Sequence, residues 1–188
     1  MRATLPAVVA LGSNQGDREA TLRAAVAAID AVGGVSVTRA SVIVETPALT
    51  LHGIDDTAPA YLNAVVLVTS ALTPEQLLAE LHRIEADLGR VRAEGERWGD
   101  RTLDLDLIDF AGLTRSTETL TLPHPRAHER AFVLHPWLNA HPDAMLTGHG
   151  RVADLLATVT DPVTEFGAEP LLPSAASATP TTRVGSDQ

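Results

Sequence analysis

The chain contains no cysteine and no lysine. Without cysteine there is no disulfide framework, thiolate nucleophile, iron–sulfur cluster or cysteine-based zinc site. Without lysine, all 14 basic residues are arginine. That excludes a P-loop lysine, a lysine Schiff base and a lysine general base. Any phosphate must then be held by arginine, histidine, backbone N–H groups or metal. Aromatic residues are scarce: Tyr61, Trp98, Phe110, Phe132, Trp137 and Phe166 complete the set, so Leu, Val, Ile and Ala must build the core. Positive charge is short too. A net charge of −10 argues against sequence-independent nucleic-acid binding, which needs a basic face. No apolar run approaches the roughly 18 residues of a membrane span. Met1–Leu11 lacks the pattern of a signal peptide. These absences lead to the expectation of a cytoplasmic protein that binds neither nucleic acid nor membrane.

What is present is globular. Hydrophobic residues make up 45% and charged residues 20% of 188, enough for one ordinary domain. One domain is expected over 1–160. Residues 161–188, rich in Pro, Ser, Ala, Thr and Gly from Gly167 on, are expected to form a disordered tail. Residues 6–11 read as a buried strand, and Gly12–Asp17 as a turn. A helix follows to about Val32, with Leu22, Val26, Ile29 and Val32 on one face, and Gly33-Gly34 stops it. Val35–Thr46 and Tyr61–Ser70 read as strands, separated by a long loop over 47–60. Thr73-Pro74-Glu75-Gln76 has the chemistry of a helix start, and that helix runs to Leu88. Leu103–Phe110 alternates as a strand, and Leu120–Leu122 is a further strand candidate. Arg126–Asn139 and Arg151–Val159 read as helical. The order β-α-β-β-α-β predicts an α+β, ferredoxin-like antiparallel sheet with helices on one face and added C-terminal helices.

Leu103-Asp104-Leu105-Asp106-Leu107 puts two carboxylates on one strand face, with Cα atoms about 6.5–7 Å apart. A hard cation such as Mg²⁺ binds through one or two carboxylates and completes its shell with water and phosphate. A solvated strand face carrying two Asp is about equally compatible with the spacing alone. Arg83, Arg90, Arg92, Arg97 and Arg101 lie just before the pair, and guanidinium forks bind phosphate oxygens bidentately. Glu85, Asp87, Glu94, Glu96 and Asp100 accompany them, so a self-paired solvated loop competes with the phosphate reading. Trp98 suits a flat ligand better than a core. Glu85 borders its helix's apolar stripe, either as a partner of Arg83 or Arg90 or as a ligand contact. His124, set between Pro123 and Pro125, joins Arg126 and Arg130 as a second candidate phosphate cluster. No HxxxH or HExxH pair exists, which disfavours a histidine zinc site. Together these features point to phosphoryl-type transfer by positioning and electrostatics.

The residues also resemble a known family over about 7–145. The matching stretches are Leu11-Gly12-Ser13-Asn14, Glu45-Thr46-Pro47, Tyr61-Leu62-Asn63, Arg83-Ile84-Glu85 and Gly89-Arg90-Val91-Arg92. They continue with Arg97-Trp98-Gly99-Asp100-Arg101-Thr102-Leu103-Asp104-Leu105-Asp106, Pro123-His124-Pro125-Arg126 and Arg130-Ala131-Phe132. The chain is similar to the 6-hydroxymethyl-7,8-dihydropterin pyrophosphokinases. The resemblance implies transfer of the β,γ-diphosphate of ATP to the pterin's hydroxymethyl group, with release of AMP, in folate biosynthesis. It implies two Mg²⁺ ions on Asp104 and Asp106, and triphosphate contacts from Arg90 and Arg101. Further ATP contacts are implied at Leu78, His82, Glu85, Arg92, Trp98, Leu107, Thr121, His124 and Arg130. Tyr61 and Phe132 correspond to the aromatics around the pterin, Asn63 and Thr46 to groups on its hydrogen-bonding edge. Ala48, Leu49 and Trp98 complete the implied pterin site. The expected partners are these two small molecules, with the chain itself a monomer.

The sequence departs from the family in its loops. The 47–60 loop is longer than usual, Ala48 stands where many members have proline, one extra residue lies near Gly95, and Asp100 stands where proline is frequent. These differences bear on loop closure. Two competing readings remain: another Mg²⁺- and ATP-dependent transferase, which would not need Tyr61, Asn63 and Phe132, and a non-catalytic nucleotide-binding module, which would release no AMP.

Overall fold

The computed structural model describes residues 3–50, 53–55, 59–88, 102–167 and 169–172. β1 (Leu5–Ser13) is followed by α1 (Arg18–Asp30), β2 (Val35–Ala40), β3 (Val44–Thr46), β4 (Ala48–Thr50), β5 (Gly53–Asp55) and β6 (Tyr61–Ser70). Next come α2 (Pro74–Asp87), β7 (Asp104–Phe110), β8 (Arg115–Ser116), β9 (Thr121–Leu122), a 3₁₀ turn at Ala127–Glu129 and α3 (Ala131–Ala140). The remaining elements are β10 (Met145–Leu146), β11 (Gly150–Arg151), α4 (Val152–Leu156) and β12 (Thr164–Glu165).

The main sheet runs β12-β3-β6-β1-β7, with β2 also paired to β6. Its pairings are antiparallel. Strand alternation sends Ala7, Val9 and Leu11 to one face, where Leu22, Val26 and Ile29 of α1 and Leu77, Leu81 and Ile84 of α2 complete a core. Val8 and Ala10 point the other way, into a second core with Val65, Ile108, Val133, Leu134, Trp137 and Val152. The C-terminal helices α3 and α4 therefore cover the face opposite α1 and α2. Burying both faces explains the near-continuous apolar runs of β1 and β6.

Helix starts follow their capping chemistry. The Asp17 carboxylate accepts from Ala20 N at 3.0 Å. Thr73 Oγ1 accepts from Gln76 N, and Gln76 Oε1 accepts from Thr73 N, which closes a capping box. Gly34, at φ +83°, makes the left-handed turn after α1 that a Cβ would strain.

Three sequence expectations change. The strand expected over 35–46 is broken, because Ser41 Oγ takes the Val65 N–H at 3.0 Å in place of a ladder carbonyl. The expected loop over 47–60 contains the β4–β5 hairpin, with Ala48 opposite Asp55. The expectation of disorder from 161 onward is not met at residues 161–167 and 169–172. β12 adds to the free edge of β3, Phe166 N donates to Ile43 O at 2.8 Å, and Leu171 is buried with its N–H on Ser41 O. Backbone pairing at a sheet edge depends little on side-chain composition, so a polar, proline-containing segment can dock there.

Candidate active site

The pairing register assembles a row of side chains across the second sheet face. Gly12 on β1 lies opposite Asp104 on one side and Asn63 on the other, and Ala10 lies opposite Asp106. Tyr61 lies opposite Thr46. With strands about 4.8 Å apart, Asp104 and Asn63 stand roughly 10 Å from each other across a floor of small residues. A Cβ on Gly12 would stand 3.1 Å from Asn63 Oδ1, so the Asn63 amide would have to give by a few tenths of an ångström.

The row opens into a cavity of about 590 Å³, within the usual range for small-molecule sites. Asp104, Asp106, His124, Arg126 and Arg130 line its charged part. Thr46, Pro47, Tyr61, Asn63 and Phe132 line the rest, joined by Asp161 and Pro162. The segment that leads from β9 into α3 thus brings His124, Arg130 and Phe132 over the strand carboxylates.

The charged groups stand close together around Asp106. Arg130 Nη1 is 3.6 Å from Asp106 Oδ2, and His124 Nε2 is 4.0 Å from the same oxygen. His124 Nδ1 accepts from Arg126 N at 3.2 Å, which leaves the proton of a neutral ring on Nε2, facing Asp106. Burial holds the His124 imidazole below its ordinary value of 6.5. Asp106 and Asp104 oppose that shift, while Arg130 and Arg126 reinforce it. The Arg130 guanidinium also lies 5.4 Å from the Phe132 ring centroid, linking the charged and aromatic parts of the site.

At the other end, Asn63 Nδ2 donates to Thr46 Oγ1 at 3.0 Å, and both residues are buried. A buried amide oriented in this way is suited to reading the edge of a polar heterocycle. Tyr61 and Phe132, both half-buried, offer aromatic surface beside it.

Asp104 and Asp106 share the face that opens into the cavity. Among the described residues no group of three or more His, Cys, Asp or Glu is placed to enclose a metal. The pair is an all-oxygen donor set on one wall of an open space. It fits a hard cation that takes its remaining ligands from water and substrate phosphate.

Glu85, a ligand contact by resemblance, makes a structural contact in the fold. It is buried, and its Oε1 accepts from Leu105 N at 2.7 Å. Among the described residues β7 ends the strand order, so an N–H on its outer edge has no strand partner there. Glu85 supplies one from α2 at the residue between the two aspartates. Leu107 points into the core shared with α1 and α2, so any ligand contact there would use backbone. Leu78 packs against the same core, His82 is exposed on α2, and Thr121 is exposed on β9. Ala48 and Leu49 lie on β4. Arg90, Arg92, Arg97, Trp98 and Arg101 lie outside the described residues.

Sequence reasoning missed Gly12 as the floor, and it missed Pro47, Asp161 and Pro162 as walls. In the sequence Gly12 reads as part of a turn and of the family-matching stretch Leu11-Gly12-Ser13-Asn14, with no role at the site assigned to it. Nothing local in Asp161-Pro162 marks a site.

The family model described as "7,8-dihydro-6-hydroxymethylpterin-pyrophosphokinase (HPPK)" matches residues 8–142. The chain is 46% identical over 130 residues to the 2-amino-4-hydroxy-6-hydroxymethyldihydropteridine pyrophosphokinase of Bacillus subtilis, covering 69% of this chain and 74% of that protein. It is 38% identical over 180 residues to the protein of the same name from Mycobacterium leprae, covering 85% of each. Among solved structures it is similar to the Plasmodium falciparum HPPK-DHPS wild type with STZ-DHP, with a TM-score of 0.61 and 13% identity. That match covers 84% of this chain and 42% of the longer Plasmodium chain, and it bears on the fold alone.

Proposed function

Because the chain belongs to the 7,8-dihydro-6-hydroxymethylpterin-pyrophosphokinase family, we propose that the cavity over β1, β6 and β7 is where its reaction takes place. The chain is a pyrophosphokinase of folate biosynthesis. The pterin's hydroxymethyl oxygen attacks the β-phosphorus of ATP, the bond from that phosphorus to the α-phosphate oxygen breaks, and AMP leaves as the hydroxyl proton is lost. The observation that carries the siting is the juxtaposition in one cavity of a carboxylate pair with Arg130 and His124, and of a buried amide with two aromatics.

Each part has a task in this reading. Asn63, oriented by Thr46, reads the donor and acceptor edge of the pterin, while Tyr61 and Phe132 cover its ring. The pterin is neutral, so its affinity rests on stacking and edge hydrogen bonds. Arg130 and His124 face the phosphates, with Arg126 beside them. Arg90 and Arg101, in the segment before β7, are assigned to the triphosphate by resemblance, together with Arg92 and Trp98. Asp104 and Asp106 hold Mg²⁺, two ions in our reading. Held there, Mg²⁺ would supply charge neutralisation at the phosphate oxygens. Glu85 keeps the carboxylate pair in place through Leu105. No side chain is needed as a nucleophile.

The sheet order and antiparallel pairing support a ferredoxin-like classification, extended by α3, α4 and β12. We read the chain as a monomer that takes ATP and the pterin as its small-molecule partners, and as a cytoplasmic protein. Among the described residues no helix is long and apolar enough to cross a membrane.

The direct test is a nucleotide assay with ATP, Mg²⁺ and 6-hydroxymethyl-7,8-dihydropterin that resolves AMP from ADP. AMP is expected only when both the pterin and Mg²⁺ are present. ADP in place of AMP, or AMP release independent of the pterin, would overturn the reading.

A further inference from the structure

Three separate backbone segments form the wall of the cavity on the side of Thr46 and Tyr61, and a single guanidinium holds them together from behind. Arg18, in the first turn of α1, donates from Nη1 to Glu45 Oε1 at 2.9 Å and to Ala60 O at 2.6 Å. Its guanidinium carbon lies 5.9 Å from the Phe166 ring centroid. Glu45 precedes Thr46, and Ala60 precedes Tyr61. Phe166 follows β12, whose Thr164 pairs with Glu45 and whose upstream neighbours Asp161 and Pro162 line the cavity. Glu45 and Thr46 are consecutive on a strand, so their side chains point to opposite faces. Arg18 therefore acts on the face turned away from the cavity.

We propose that Arg18 is a positioning residue for the pterin end of the site, clamping β3, the start of β6 and the C-terminal segment into one wall. The inference rests on the assignment of Thr46, Asn63, Tyr61 and Phe132 to the pterin. The chemistry suits arginine, whose planar fork can donate in its plane while its face meets an aromatic ring. The partners also differ in kind. The Glu45 contact is an ion pair, the Ala60 contact fixes backbone, and the Phe166 contact recruits a segment that folds back from the far end of the chain. Arg23 adds a weaker tie to that segment, with Nη1 3.4 Å from Leu171 O. Releasing the clamp lowers the fraction of molecules in which the wall is assembled. Pterin affinity falls with that fraction. The phosphate end, built on β7 and the segment before α3, does not depend on these three contacts.

The test is calorimetry on the full chain. 6-Hydroxymethylpterin is titrated into protein saturated with a non-hydrolysable ATP analogue and Mg²⁺, and the analogue with Mg²⁺ is titrated alone. Arg18→Met is expected to weaken pterin binding about tenfold, as the assembled fraction falls to roughly a tenth, with analogue affinity changed by less than about twofold. Phe166→Ala is expected to act in the same direction to a smaller degree, and its effect should be less than additive with Arg18→Met because both act through one clamp. Arg18→Lys, which keeps the charge near Glu45, is expected to recover part of the loss. Equal losses for both ligands, or unchanged pterin affinity in a folded Arg18→Met protein, would overturn the proposal. If Arg18→Met does not fold, unchanged pterin affinity in Phe166→Ala overturns it. A wild-type chain that binds the pterin but releases no AMP refutes the activity, and the same titrations still decide the clamp.

Discussion

Replacing Glu85 separates a strand-holding role from a ligand contact. Glu85 is 2% exposed, and its carboxylate accepts the Leu105 N–H at 2.7 Å. A hydrogen bond to a charged group contributes about 1.5–3 kcal/mol, and a buried N–H left without a partner costs a similar amount. These are two views of the same loss and do not add. Glu85→Ala should therefore destabilise the fold by about 2–3 kcal/mol. Glu85→Gln keeps an oxygen acceptor of the same reach and removes the charge, so its cost should stay below about 1.5 kcal/mol. Urea unfolding with a shared m-value measures both. The second consequence is local. Leu105 lies between Asp104 and Asp106, so Glu85→Ala should raise the Mg²⁺ concentration needed for half-maximal AMP release, while pterin affinity changes little. Glu85→Ala protein with wild-type stability, within about 0.5 kcal/mol, and an ATP KM raised equally by Ala and Gln would refute the strand-holding role. Glu85 would then be a ligand residue.

Asp106→Ala should reduce the rate of AMP release by at least about a hundredfold, the scale of a preorganised electrostatic contact. Pterin binding should remain, and near-normal turnover in this variant would sink the metal assignment. The His124 imidazole titrates below 6.5 in the folded protein because it is buried. The folded state therefore binds fewer protons than the unfolded state, so the neutral ring's contribution to stability is present above about pH 6.5. It is lost as pH falls through the folded value. An NMR titration should give a midpoint below 6.5. Asp106→Asn should lower it further, since Asp106 raises it now; an upward move would contradict the geometry. Gly12→Ala places a methyl 3.1 Å from Asn63 Oδ1 and should weaken pterin binding about tenfold, or about 1.4 kcal/mol. It should leave the melting temperature and the ATP-analogue affinity nearly unchanged, and unaltered pterin affinity would remove Gly12 from the floor of the site.

The sequence by itself determined the features that arise within a few residues of chain. The alternation of Leu103–Leu107 set both aspartates on one face, because a strand's side-chain period is two. The capping chemistry at Thr73–Gln76 marked the start of α2, and the Val- and Leu-rich stretches located β1 and β6. The Arg-Trp-Gly and Leu-Asp-Leu-Asp motifs pointed to the reaction. Only the tertiary structure decided which distant groups meet. It set Gly12 between Asp104 and Asn63, gave Glu85 to the Leu105 N–H, and turned an expected tail into an edge strand that carries Asp161 and Pro162 to the cavity. It also gave Arg18 its three partners. These contacts depend on strand register and sheet order, which join residues 20 to more than 100 positions apart. No local pattern at either residue of such a pair names the other, so they become legible only once the sheet is assembled.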